Sequence, residues 1–375
     1  MVHSEKKEKK IKILIICDTA RIGGVERLAL DQAYELSGMY TETKPTILIL
    51  NSPPAELDSS FVKNEEVMIK KLNIDVVYAP GKRLDQFRFL KKYLATHEIE
   101  YIFTCSMRAG VISWCLRFVY RFDLVIFNTI QQLPSLTSPN QHLRRAFYSQ
   151  FSDKLFICCA AALDDWNQRR KKSLLVKFVS SRKKVQLCRN GVYIPRLLSN
   201  DSLLPYPGLK RFVFIGRLTA WKGLEKFLRI AQQNEFKDIE ILLVTPTDPT
   251  NYLVQLDKPL LNKIQCIVGK SISEIEFKSG DLHLYPATYG DNTFVEGISL
   301  NVLEMACIGI PSLVTKKGCA TWPELQELGL VYEVDWSDID GVKSVISKIS
   351  YQAHSIHKAR TVIDIRNNLN QMLSQ

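Results

Sequence analysis

The 375-residue sequence contains no Cys-x-x-Cys pair, so no zinc site is expected, and it has no cluster of Asp and His residues at metal-ligand spacing. Its nine cysteines are an odd number, and Cys17, Cys105, Cys158 and Cys307 sit inside apolar runs. They read as reduced core thiols of a cytosolic protein rather than as a disulfide frame. The stretch from Met1 to Lys10 lacks the apolar centre of a signal peptide. No apolar run approaches the length of a bilayer span: the most apolar helix-like stretch, 110–120, is interrupted by Arg117 and followed by Arg121. A cytoplasmic protein is expected, one that can still lie against the cytoplasmic face of a membrane. The Gly-x-Gly-x-x-Gly fingerprint of dinucleotide binding is missing, as are internal repeats and low-complexity tracts.

What is present is an ordinary globular composition, 46% hydrophobic and 24% charged, with length enough for two domains. The net charge of +11 is unevenly spread. Residues 1–200 hold 32 Lys and Arg against 19 Asp and Glu, a balance of +13, while the remainder holds 18 against 20. A basic half attracts anions such as nucleic acid, an acidic membrane face or an anionic substrate. Within it, residues 83–94 read RLDQFRFLKKYL, basic positions interleaved with Phe87, Phe89 and Tyr93. That pattern suits a membrane surface. No nucleic-acid-binding module is recognisable, so anionic lipid is the expected partner of this half and nucleic acid is not.

Strand-length apolar runs recur at 11–17, 46–50, 75–78, 101–105, 124–128, 154–159 and 185–187. Segments of helical period, 24–36 and 84–97 among them, lie between most of these runs. A looser stretch at 190–210, with Pro195, Pro205 and Pro207, reads as a linker. The alternation restarts with strand candidates at 211–216, 239–244, 265–268, 281–285, 311–315 and 329–334, and with helical segments such as 224–233 and 300–308. The stretch 342–373 is helical by composition, long enough to cross back to the first domain. This is the βαβ alternation of parallel sheets covered on both faces, and such domains bind ligands outside the carboxyl ends of their strands. The expected fold class is α/β with two Rossmann-like doubly wound domains facing a central cleft: 1–200 on the acceptor side, 201–352 on the donor side, and a helix at 353–375 packing back on the first.

Three stretches carry chemistry. In 295–311, Ser299 is a plausible N-cap, Gly309 a stop and Pro311 a barrier to continuation. Glu304 shares a face with Leu300 and Cys307, where a carboxylate is costly unless satisfied. Ribose hydroxyls would satisfy it, and so would a core Arg or Lys. Glu296 precedes the helix beside Gly297, and backbone N–H groups at a helix start suit a diphosphate. In 212–223, Arg217 and Lys222 follow a strand that ends at Gly216 and could clamp a pyrophosphate, or could be ordinary solvated loop cations. In 17–27, the adjacent Gly23 and Gly24 lie between a strand and a helix and would let backbone approach a phosphate or sugar.

In this order, the stretches resemble the retaining glycosyltransferases of family four, which have the GT-B fold. The E-x7-E motif matches Glu296 and Glu304, the Gly-Arg…Lys-Gly loop matches Gly216, Arg217, Lys222 and Gly223, and the Gly-Gly-x-Glu-Arg loop matches Gly23 to Arg27. Asn190-Gly191-Val192 is typical as well. The resemblance covers nearly the whole chain. It implies that Arg217 and Lys222 hold the diphosphate of a nucleotide-sugar donor, Glu304 its ribose, and Glu296 the hydroxyls of its sugar. It implies further that Gly297, Ile298, Ser299 and Leu300 supply backbone contacts, that Gly23 and Gly24 close the pocket, and that no metal or other cofactor is needed. Hexosyl transfer to a glycan, lipid-linked or envelope acceptor, as in polysaccharide biosynthesis, is the activity implied.

One position departs from the family. Where many members carry a His near the reacting sugar, this sequence has Gln131. Glutamine can orient a hydroxyl but cannot transfer a proton at neutral pH. An active enzyme in which the leaving phosphate takes the acceptor's proton is one account, and a non-catalytic GT-B partner subunit that binds glycan is the other. A sugar-nucleotide epimerase is a third reading. Neither the base, expected near 244–249 and 269–273, nor the donor sugar can be read from these residues.

Overall fold

A computed structural model describes residues 12–18, 24–39, 45–51, 66–130, 149–158, 160–172, 185–197, 207–254, 256–287, 299–316, 321–350 and 353–374. Thirteen strands form among them, each overlapping one expected from the apolar runs. The first seven are β1 (Ile13–Cys17), β2 (Thr46–Ile49), β3 (Asp75–Tyr78), β4 (Tyr101–Thr104), β5 (Val125–Ile130), β6 (Lys154–Ile157) and β7 (Val185–Leu187). They make one sheet in the order β3-β2-β1-β4-β5-β6-β7. The other six are β8 (Arg211–Ile215), β9 (Glu240–Thr245), β10 (Ile264–Val268), β11 (Asp281–Tyr285), β12 (Ser312–Thr315) and β13 (Val331–Val334). They make a second sheet in the order β10-β9-β8-β11-β12-β13.

The pairings on either side of β1 and β8 are parallel. All five residues of β1, β8 and β11 are buried, as strands covered on both faces must be. In each sheet the strand order reverses at one point, between β1 and β4 and again between β8 and β11. Such switch points leave a crevice at the strand carboxyl ends. The first sheet packs Leu14, Ile16 and Leu48 against Leu90 and Leu94 of the helix Arg83–His97 and Leu116 of the helix Met107–Tyr120. The second packs Phe212, Phe214 and Leu243 against Phe227 and Ile230 of the helix Leu224–Ala231.

The chain divides into two compact units: 1–131 with 143–156 and 173–186, and 132–142 with 157–172 and 187–375. Residues 187–197, taken with the first domain on sequence, belong to the second unit. The segment read as a linker is therefore ordered where it starts. Val192 bridges to Asp364, its N–H donating to Ile363 O (2.9 Å) and its carbonyl accepting from Ile365 N (3.0 Å). Gly191 permits this approach, because a Cβ there would lie 2.5 Å from Ile365 Cα. The C-terminal stretch forms the helices Ala353–Ile363 and Ile365–Leu373. The first is tied to the helix Leu300–Cys307 by Arg360 Nε donating to Cys307 O (2.8 Å), and Asn368 of the second reaches Cys188 Sγ and Arg189 O.

No helix of the described residues is long and apolar enough to cross a membrane. Cys17, Cys105 and Cys307 are buried thiols outside any disulfide, and Cys158 is a half-buried one. The hydrogen bond between Cys17 and Cys105, together with burial, pushes the Cys17 thiol well above its usual range, which keeps it unreactive.

Candidate functional site

The second sheet's switch point gathers three features of the sequence. Strand β8 ends at Ile215, Gly216 follows, and the chain enters a short 3-10 turn, Ala220–Lys222, before the helix Leu224–Ala231. Gly223 sits between turn and helix at φ +76°, and a Cβ there would lie 2.5 Å from Pro286 O. A residue other than glycine at 223 would push the loop off β11. Lys222 is thereby folded inward: it is buried, and its stem lies over Gly216, whose Cβ would stand 3.8 Å from Lys222 Cδ.

The Lys222 ammonium donates to the hydroxyl of Tyr285, the last residue of β11. It also lies 4.1 Å from the centre of the Trp221 ring and 4.8 Å from that of Tyr285. Arg217 remains exposed, 5.8 Å from the Trp221 ring centre. The loop is tethered from outside by Tyr252 Oη donating to Leu218 O (2.6 Å).

The helix Leu300–Cys307 begins at the same place. Asn301 Nδ2 donates to Ile215 O (3.1 Å), binding the helix start to the carboxyl end of β8. Ser299 is the N-cap, as expected, with extended φ/ψ, but its side chain makes no capping bond. At the helix start Val302 N–H turns back to Ser299 O (3.0 Å) beside the first full-turn bond, Leu303 N–H to the same oxygen (3.3 Å). The two loops expected to face a base are joined by Gly269 N donating to Thr245 O (2.9 Å), and Ser271 with Glu274 forms a capping box.

Glu304 is fully buried, as its apolar helix face demands, and its carboxylate accepts from Arg196 at 2.6 Å. Of the two ways to satisfy this carboxylate, the core cation is thus present. Arg196, only 6% exposed, comes from the segment read as a linker. Glu296, Gly297, Ile298, Gln131 and Gly23 lie outside the described residues, while Gly24 opens the helix Gly24–Met39 and is exposed. The first sheet's own switch point is closed by Ser106 Oγ donating to Asp18 Oδ1 (2.7 Å). No group of three His, Cys, Asp or Glu able to hold a metal occurs among the described residues.

Sequence reading missed His283, Tyr285, Asn301 and Arg196. The alternation of β11 places His283 and Tyr285 on one face, ring centres 5.9 Å apart, and His283 Nδ1 lies 3.0 Å from Ser312 Oγ. Burial, and then the charge of Lys222, push His283 down to about 3. The folded protein thus keeps His283 neutral, whereas the unfolded chain binds a proton below about pH 6.5. The associated stability is whole above that pH and falls toward pH 3 by about 1.4 kcal/mol per unit. Between pH 7.5 and 5, wild type should lose about 2 kcal/mol more unfolding free energy than His283→Asn, as read by urea titration. Equal losses would mean that another group carries the acid sensitivity.

No protein-family model and no curated protein matches the chain. Solved structures do. HepE of Anabaena, in complex with UDP and glucose, superposes with a TM-score of 0.68 at 14% identity, over 97% of this chain and 98% of that one. A glycosyltransferase from Rickettsia africae superposes at 0.67 with 14% identity, over 98% of both chains. Sucrose-phosphate synthase from Thermosynechococcus elongatus superposes at 0.66 with 15% identity, over 97% and 98%. At these identities the likeness establishes the fold, which is GT-B.

Proposed function

We propose that this protein is a glycosyltransferase that moves a hexose from a nucleotide-diphosphate sugar to a glycan or lipid-linked acceptor, with retention and without a metal. The observation that carries the reading is the convergence at the β8/β11 switch point of Arg217, Lys222 and the start of the helix Leu300–Cys307, tied there by Asn301. Two cations beside backbone N–H groups form a site for a diphosphate. The solved complexes of HepE with UDP and with UDP-glucose support the same ligand class.

In this reading Arg217 and Lys222 neutralise the leaving diphosphate, and Ser299 and Leu300 add backbone contacts. Glu304, held in one orientation by Arg196, takes the ribose. Glu296, with Gly297 and Ile298, takes the donor sugar, and Gly23 and Gly24 close the pocket. Gln131 orients the acceptor hydroxyl. As the acceptor oxygen bonds to the anomeric carbon and the bond to the phosphate breaks, the acceptor's proton passes to the leaving phosphate oxygen.

The test is nucleotide release from a panel of UDP-, GDP- and ADP-sugars, with nucleotide affinity measured alongside. Release that falls about 100-fold or more in Arg217→Ala is expected. Nucleotide binding without release from any donor, with or without glycan, would favour the non-catalytic partner subunit. Release unchanged by Arg217→Ala would overturn the site.

A further inference from the structure

The first unit carries a cluster of exposed apolar side chains that its core does not use. Phe118, Val119 and Tyr120 close the helix Met107–Tyr120 and are 72%, 61% and 39% exposed. Successive helical residues point about 100° apart, so three in a row make the helix end apolar around most of its circumference. Phe118 also stacks on Trp114, one turn earlier, ring centres 5.3 Å apart.

The neighbouring helix Arg83–His97 continues the patch. Its Leu84, 60% exposed, shares a face with Phe87, Arg88 and Lys91. The Phe87 and Tyr120 ring centres are 6.3 Å apart, and Lys91 Nζ stands 3.9 Å from the Tyr120 ring centre, which joins the two helices into one surface.

The rim of the patch is basic. Arg83, Arg88 and Arg121 are exposed and Lys91 is half-buried, against the acids Asp85 and Asp123. Arg121 caps the helix in the left-handed region, φ 54°, where glycine is usual, so the helix stops with a cation directly beyond its apolar end. Arg117, one turn earlier, is engaged by Asp153, while Arg88 makes an exposed ion pair with Asp85 (3.5 Å), weak enough to exchange for a lipid phosphate.

We propose that this surface docks on an anionic bilayer, Phe118, Val119, Tyr120 and Leu84 entering the boundary between headgroups and acyl chains while Arg83, Arg88, Lys91 and Arg121 contact lipid phosphates. An exposed apolar helix end with a cationic rim fits a fluid apolar layer under a negative surface. The inference goes beyond glycosyl transfer and stands or falls apart from it, since no residue of the donor site takes part.

Co-sedimentation with phosphatidylcholine vesicles, with and without roughly 30% phosphatidylglycerol, tests it. Wild type should bind the anionic vesicles at low salt and release with added salt. Phe118→Ser/Val119→Ser should lower partitioning about tenfold or more on either lipid. Arg88→Glu/Arg121→Glu should abolish the preference for anionic lipid, about fivefold for each cation lost. Val254→Ser/Val268→Ser, which replaces exposed apolar residues of the second unit, should change nothing. Thermal melting of each variant checks folding. Absence of vesicle binding by wild type, or binding indifferent to the Phe118/Val119 pair in folded variants, would overturn the proposal. So would a concentration-dependent dimer that the same substitutions dissolve, because a second copy would then be the occupant.

Discussion

Replacing Arg196 with Met should destabilise the second unit by about 3–5 kcal/mol, lowering its melting temperature by about 10 °C. The reason lies in the asymmetry of buried ion pairs. Forming one gains little, since the desolvation of both charges offsets their attraction, but removing one partner leaves the other charge stranded. Glu304 has no exposed surface, and Arg196 bonds it at 2.6 Å from a chain position 108 residues away. In the Arg196→Met variant the fully buried carboxylate loses its guanidinium. The double variant Arg196→Met/Glu304→Met should recover most of the loss, because two apolar side chains can fill the space of the pair. A single variant as stable as wild type in calorimetry, or a double variant no better than the single, would show that the pair does not hold the helix Leu300–Cys307.

That pair also marks the limit of what the chain's linear order discloses. The inner strands were legible because parallel sheets covered on both faces make them continuous apolar runs, such as Ile13–Cys17 or 212–215, whereas β3 and β10 at the sheet edges are partly exposed. The helix Leu300–Cys307 was legible from its stop at Gly309 and Pro311, and Glu304 was conspicuous as a charge on an apolar face. Its partner was not, because nothing local distinguishes Arg196 from a solvated arginine in a proline-bearing segment. The same holds for Asn301 and Tyr285, which act through Ile215 O and Lys222, partners 86 and 63 residues away. The helix Ala160–Lys172 went unread because it ends in a run of Arg and Lys and shows little apolar periodicity. Residues 190–197 looked like a linker from their composition, whereas their structure is set by the backbone of Ile363 and Ile365, which Gly191 lets approach.

The contrast between the two cations of the loop leads to the second large effect. Arg217 is exposed, 5.8 Å from the Trp221 ring centre, while Lys222 is buried, its ammonium fixed between the Tyr285 hydroxyl and the Trp221 ring. A cation fixed before the substrate arrives need not reorganise as charge develops on a leaving diphosphate, and it acts where water is largely excluded. Lys222→Met should therefore lower turnover in the nucleotide-release assay by about 100- to 1000-fold. The fold should survive, because Met is an unbranched, adaptable side chain that fills the space of the lysine stem. Tyr285→Phe keeps the ring and removes only the hydroxyl that orients the ammonium, so a loss of about 2- to 10-fold is expected, corresponding to one hydrogen bond. The order of the two effects separates a cation that acts on the reacting phosphate from one that merely fills the core. If Lys222→Met melts like wild type and turns over within a few-fold of it, the diphosphate is held elsewhere and the switch-point assignment fails.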